Sequence, residues 1–306
     1  MNNLQTYINE YLEYCRTQKR LDGKTLKAYR IDLNQFFNHV HETDLLTLTS
    51  AILENYIANL HQCYKPKTVK RKIASAKAFF YYLEYKEIIE RNPFDKIQIK
   101  FRIPVILPKT IPLRTIETLL FEMYKYRNNA KTDYQKRNAL RDIAVIELLF
   151  ATGIRISELC ALKASDVNLW DKSILIYGKG SKERRIQIGS DDVVNVLKEY
   201  KNEFASEIQA CKHFFVNQQV FPLSDQTVRR MIKKYSSLAG IDMHITPHMF
   251  RHTFATSLLE ADVDIRYIQE MLGHSSINIT EIYTHVAMAK QRDILENKHP
   301  RRGMRV

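Results

Sequence analysis

Ala151-Thr152-Gly153-Ile154-Arg155-Ile156-Ser157-Glu158-Leu159 is the stretch from which this chain is best read. Ahead of it, Ala139 to Phe150 is a long apolar run that predicts a helix, and Thr152-Gly153 ends it, because glycine enters the left-handed backbone of a C-terminal cap without a Cβ penalty. Arg155 follows directly, near a new helix start where main-chain N–H groups favour an anion, and Glu158 is a candidate partner to orient it. Taken alone, such an arginine is a surface charge or half of an ion pair.

Working outward, Leu113 to Tyr124 predicts a helix on the N-terminal side. On the other side Ser173 to Tyr177 and Arg185 to Ile188 flank Gly178-Lys179-Gly180-Ser181-Lys182-Glu183 and read as a β-hairpin. Gln226 to Ala239, Met249 to Glu260, Ile265 to Leu272 and Ile277 to Val286 read as further helices. Between Arg91 and Leu113 the periodicity stops, and Pro93, Pro104, Pro108 and Pro112 exclude one continuous helix. Before that segment, apolar residues three and four apart from Leu4 to about Glu90 predict four helices, with breaks at Gly23 and at Thr47-Leu48-Thr49-Ser50. The last, Pro66 to Glu90, is expected to turn Ala74, Ala78, Phe79, Tyr82 and Leu83 inward. The expected fold is mainly α in two domains: an N-terminal helical bundle over 1–92, a linker over 93–112, and a helical domain with a small antiparallel β-sheet over 113–306, ending in a tail over 287–306.

At 306 residues two domains are a better prior than one. Forty-seven Lys and Arg against 34 Asp and Glu leave a net charge of +13, a field that attracts polyanions, although a charge that only maintains solubility has the same composition. Lys65, Lys67, Lys70, Arg71, Lys72 and Lys77 crowd one predicted helix, and Cys63 to Leu83 contains no acid to pair with them along it, so this helix is the candidate DNA contact. Cys15, Cys63, Cys160 and Cys211 lie far apart and form neither a zinc set nor a disulfide framework. No basic leader with an apolar run opens the chain, and no window approaches a membrane span, so a cytoplasmic protein is expected.

Cutting DNA with a protein nucleophile requires a side chain that attacks phosphorus, cations on the nonbridging oxygens and a proton donor for the departing sugar oxygen. Four segments offer the parts: the opening stretch, Gly178-Lys179-Gly180, Thr246-Pro247-His248-Met249-Phe250-Arg251-His252, and Leu272-Gly273-His274 with Ile282-Tyr283-Thr284-His285. In order and spacing these resemble the catalytic motifs of the tyrosine recombinase and phage integrase family, and the resemblance covers nearly the whole chain. The ending His299-Pro300-Arg301 and the lack of a further N-terminal arm-binding domain look most like the Xer branch, which resolves chromosome dimers.

The resemblance implies a two-domain clamp around double-stranded DNA at a recombination site, with four subunits on two duplexes and with a second recombinase or a DNA translocase as conceivable helpers. It implies Tyr283 as nucleophile, Arg155 and Arg251 as the phosphate clamp, Lys179 as proton donor to the 5′-hydroxyl, and His248 and His274 as phosphate or proton-transfer groups. The tail 287–306 would pack on a neighbouring subunit. Neither cofactor nor metal is implied, in keeping with the absence of a Walker loop or an acidic metal-binding set. Each residue has a plainer reading: Tyr283 is one of 17 tyrosines, Lys179 sits in a turn that attracts lysine and lies near Lys182, and His244, His252 and His285 sit close to the two named histidines. Three rivals share parts of the pattern: a mobile-element integrase or excisionase-type recombinase, a type IB topoisomerase, and a DNA-binding architectural protein without catalysis.

Overall fold

The computed structural model describes residues 2–40, 48–97, 109–178 and 183–273, in two compact units, Met1–Val105 and Ile106–Val306. The first is built from α1 (Asn2–Thr17), α2 (Gly23–Val40), α3 (Ser50–Cys63) and α4 (Pro66–Tyr85). Their starts follow local chemistry. The Asp22 carboxylate accepts the Thr25 N–H at 2.9 Å, the Thr49 hydroxyl accepts the Ile52 N–H at 3.4 Å, and Pro66 occupies the first position of α4, where no N–H partner is lost. Apolar faces from all four helices meet in one core, where Phe36 stands edge-on to Phe37, Tyr56 and Phe80 with centroids 4.8, 4.8 and 5.8 Å apart. Phe94 also lies in this core.

Helix α4 departs from the sequence reading in two ways. It ends at Tyr85 because Glu87 turns left-handed (φ 59°) and the Ile88 N–H closes back on the Leu83 carbonyl at 2.9 Å, short of the expected Glu90. Its inward face runs through Val69, Ile73, Ala76, Phe80 and Leu83, leaving Ala74 exposed and Ala78 only half-buried. That face also carries Lys72, three residues after Val69 and four before Ala76. Lys72 is therefore corrected from a DNA contact to a buried residue: its side chain is 3% exposed, and its ammonium bonds the Gln35 amide oxygen and lies 3.3 Å from the Asp32 carboxylate. Asp32 also accepts from Ser75 at 3.1 Å and from Arg71, whose side chain remains half exposed. The acid absent from Cys63 to Leu83 is supplied by α2. Lys65, Lys67, Lys70 and Lys77 are exposed.

The second unit is organised around α6 (Asp133–Thr152), which is buried on nearly every side from Ala139 to Leu149. Packed on it are α5 (Leu113–Asn128), α8 (Asp191–Glu203), α10 (Asp225–Leu238) and α11 (Pro247–Glu260). The shorter α7 (Ile156–Ala161), α9 (Ala205–Cys211) and α12 (Ile265–Leu272) complete its described α-helices. Tyr200 of α8 fills the core beneath α9, donating to the Phe214 carbonyl at 3.0 Å. The expected hairpin is present as β2 (Ser173–Tyr177) and β3 (Glu183–Gln187), paired antiparallel with Ile174 opposite Ile186, β3 beginning two residues before the expected Arg185. A two-residue strand, β1 (Val167–Asn168), extends it to a three-stranded antiparallel sheet in the order β1-β2-β3. Two residues are too few to carry an alternating pattern. Ile111 anchors the start of this unit, its N–H donating to the Thr253 hydroxyl at 2.7 Å. The four cysteines are free thiols, and among the described residues no helix is long and apolar enough to cross a membrane.

Gly153 caps α6 in the left-handed conformation (φ 59°), and a Cβ there would meet Phe254 Cδ1 at 2.6 Å and Leu272 Cδ2 at 3.0 Å. Backbone strain of about 1–2 kcal/mol and overpacking of about 1–3 kcal/mol then act together. Gly153→Ala is expected to lose about 3 kcal/mol of stability in denaturant unfolding. A loss within experimental error of zero would show that this junction relaxes freely.

Candidate active site

The cap at Gly153 delivers the chain into Arg155, which occupies the N-cap of α7. Glu158, one turn on and buried, folds back so that one carboxylate oxygen accepts the Arg155 N–H at 2.8 Å and the other accepts the Arg155 guanidinium at 2.7 Å. The expected orienting role of Glu158 thus has a direct geometric basis. Arg155 keeps about a third of its side chain exposed.

Arg251 arrives from α11. That helix starts at Pro247, and its N-cap Thr246 makes no side-chain cap bond. The Arg251 guanidinium is buried and donates to the Gly153 carbonyl at 2.8 Å and to the Leu272 carbonyl at 2.6 Å. These carbonyls lie at the C-terminal ends of α6 and α12, where unsatisfied C=O groups and the negative end of the helix dipole favour a cation. Burial, reinforced by Arg155, pushes the Arg251 pKa down to about 9, with Glu158 opposing the shift. The group remains cationic at neutral pH, in surroundings that an arriving anion would relieve.

His248, in the first turn of α11, is exposed on one side; desolvation by the adjoining wall, with the cations Arg229, Arg251 and Arg155 nearby, lowers its pKa below the ordinary value. It is mainly neutral at pH 7 and able to accept a proton. His252, one turn further, is half-buried and lowered in the same direction by burial, His248 and Arg251. Arg155, Glu158, His248 and Arg251 are therefore brought together. Lys179, His274 and Tyr283 lie outside the described residues, as do the expected helix Ile277 to Val286 and the tail 287–306. Among the described residues no group of His, Cys, Asp and Glu is arranged to hold a metal ion.

One residue of the cluster escaped the sequence reading. Arg184 of β3 forks the Glu158 carboxylate at 3.0 and 2.7 Å, and its Nε donates to the Met271 carbonyl at 2.9 Å. Strand alternation places it on the same inward face as Ile186. An arginine at an inward strand position requires a buried partner, so the signal was present. Burial alone would push the Glu158 carboxyl up; hydrogen bonds from Arg184 and from the Arg155 main chain more than reverse this and hold it below the usual carboxylate range.

Helical bundle, helical second unit with a small sheet, and clustered arginines beside a neutral histidine describe a protein built to grip a phosphate of nucleic acid. Residues 121–290 match the model of the phage integrase family, and residues 8–87 that of the phage integrase N-terminal SAM-like domain. The chain belongs to the phage integrase family of tyrosine recombinases, site-specific recombinases that cut and rejoin DNA. It is 71% identical over 302 residues to a tyrosine recombinase of Agathobacter rectalis, covering 99% of each chain. It is 34% identical over 310 residues to the tyrosine recombinase XerD of Listeria innocua, covering 98% of this chain and all of that one. In three dimensions it is similar to the XerH site-specific recombinase bound to palindromic difH substrate in a post-cleavage complex, with TM-score 0.74 and 22% identity over 96% of each chain. The sequence reading of a mainly helical, Xer-like tyrosine recombinase holds.

Proposed function

We propose that Tyr283 cuts one DNA strand at a specific site by attacking the scissile phosphorus, forming a 3′-phosphotyrosyl bond while the P–O5′ bond breaks. Arg155 and Arg251 hold the nonbridging oxygens and stabilise the charge that accumulates in the pentacoordinate state. His248, neutral before reaction, takes up a proton or hydrogen-bonds the phosphate, with His274 in a matching role, and Lys179 protonates the leaving O5′. The freed 5′-hydroxyl of a partner duplex then attacks the phosphotyrosyl link, so a phosphodiester is exchanged for a phosphodiester. The observation that carries this reading is the convergence of Arg155, Arg251 and His248 on one cluster braced by Glu158.

Lys65, Lys67, Lys70, Lys77 and the exposed part of Arg71 would supply phosphate contacts from the first unit. Strand exchange would take four subunits on two duplexes; a lambda integrase tetramer bound to a Holliday junction is among the similar structures. Similarity to XerD over the full length of that relative supports chromosome dimer resolution in the cytoplasm ahead of a mobile-element role. A second recombinase or a translocase would enter as an accessory.

The test is a nicked suicide substrate carrying the recombination site, from which the short 5′-hydroxyl strand diffuses away after cleavage. A protein–DNA adduct stable to denaturation is expected. Site-bound protein that never becomes covalently trapped would point to an architectural role, and ready relaxation of supercoiled DNA lacking the site would point to a topoisomerase.

A further inference from the structure

Three guanidiniums take three successive carbonyls at the end of α12: Arg184 on Met271 at 2.9 Å, Arg251 on Leu272 at 2.6 Å and Arg155 on Gly273 at 3.4 Å. Two of them, Arg155 and Arg184, also share Glu158. Arg184 differs from the others in exposure. Its side chain is 9% exposed against 33% for Arg155, and its bonds on Glu158 and Met271 engage all three guanidinium nitrogens. It is placed to hold protein atoms rather than DNA. Gly273, left-handed at φ 64°, keeps the space open: a Cβ there would stand 2.9 Å from Arg184 Nη1 and 3.0 Å from its Cδ.

We infer that Arg184 is a positioning residue for strand cleavage, giving each oxygen of Glu158 a second donor beside that from Arg155 and tying that brace to the end of α12, so that the Arg155 guanidinium is aimed before DNA arrives. The physical basis is preorganisation. Of the two Arg155 bonds on Glu158, the one from the guanidinium comes from a side chain that is a third exposed; the buried Arg184 fork adds a second donor to each carboxylate oxygen, so the brace holds its orientation when that side chain moves. Stabilisation of a developing phosphoryl charge depends on donors already in place. The inference rests on the reading of Arg155 as a clamp of the nonbridging oxygens, and the test separates the two.

The measurement is the single-turnover rate of covalent adduct formation on two suicide substrates, one with an ordinary scissile phosphodiester and one with a methylphosphonate there. The methyl group removes the negative charge that a clamp arginine neutralises, so a clamp defect shrinks on it, whereas a loss of folded protein lowers both rates alike. Arg184→Met and the charge-retaining Arg184→Lys are expected to react about 30-fold more slowly on the phosphodiester and within about 3-fold of the parent on the methylphosphonate, at unchanged site affinity. Equal losses on both substrates would reduce Arg184 to a structural ion pair, and parent-like rates on both would remove it from the reaction. Arg155→Ala serves as the control. If its defect is confined to the phosphodiester while that of the Arg184 variants is not, only the inference falls; if its defect is equal on both substrates, the clamp reading fails and the inference with it.

Discussion

Tyr283→Phe is expected to bind the recombination site with parental affinity and to leave no protein covalently attached to it. The substitution removes one oxygen and little surface, so phosphate contacts made elsewhere persist. That oxygen is the atom that forms the bond to phosphorus, and phenylalanine has no replacement for it. Adduct formation should therefore fall below detection rather than decline by a factor. A phenol of reference pKa about 10 is mostly neutral at physiological pH, so attack depends on a proton acceptor and on cations that stabilise the developing phenolate. The described part of the site has the means: His248, held neutral, and the cations Arg155 and Arg251 beside it. Covalent trapping of the Phe variant would move the nucleophile to another residue.

Arg251→Lys is expected to reduce adduct formation by about 10³-fold, equivalent to about 4 kcal/mol of transition-state stabilisation, while site binding changes much less. Two effects act in the same direction. The guanidinium spans the Gly153 and Leu272 carbonyls at 2.8 and 2.6 Å with two different nitrogens, whereas an ammonium directs all its donors from one point. The position is also hostile to charge, since burial and Arg155 already push the arginine down to about 9. Lysine, starting about two pKa units below arginine, would lose its proton readily there and with it the charge that the reaction requires. A variant that retains a tenth or more of the parental rate would place the principal clamp at Arg155.

Much of this architecture was legible because short-range rules govern it. The body of α6 from Ala139, its end at Thr152-Gly153 and the hairpin strands on either side of Gly178 follow from periodicity, cap chemistry and turn residues within a few positions of one another, although α6 begins six residues earlier, at Asp133. Arg155, Glu158, His248 and Arg251 were legible as motif positions, and the first pair even as partners, because Glu158 lies one helical turn from Arg155.

Where the reading of a charge failed, the partner was distant. The acid-free run from Cys63 to Leu83 resembled an unpaired basic face, yet Lys72 finds Asp32 forty residues earlier, on another helix. Helical spacing from Val69 to Ala76 marked Lys72 as inward; nothing local named its counter-ion. Arg184 repeats the case on a strand, with Glu158 twenty-six residues away and the Met271 carbonyl eighty-seven. Local sequence by itself determined most of the helices, the hairpin and the motif positions of Arg155, Glu158, His248 and Arg251, but not α8 and α9, which lie in a stretch where it assigned no element. Only the tertiary structure decided which charges stay exposed and which are consumed inside the protein, because a buried ion must be met at hydrogen-bond distance by a group that folding, not sequence proximity, brings to it.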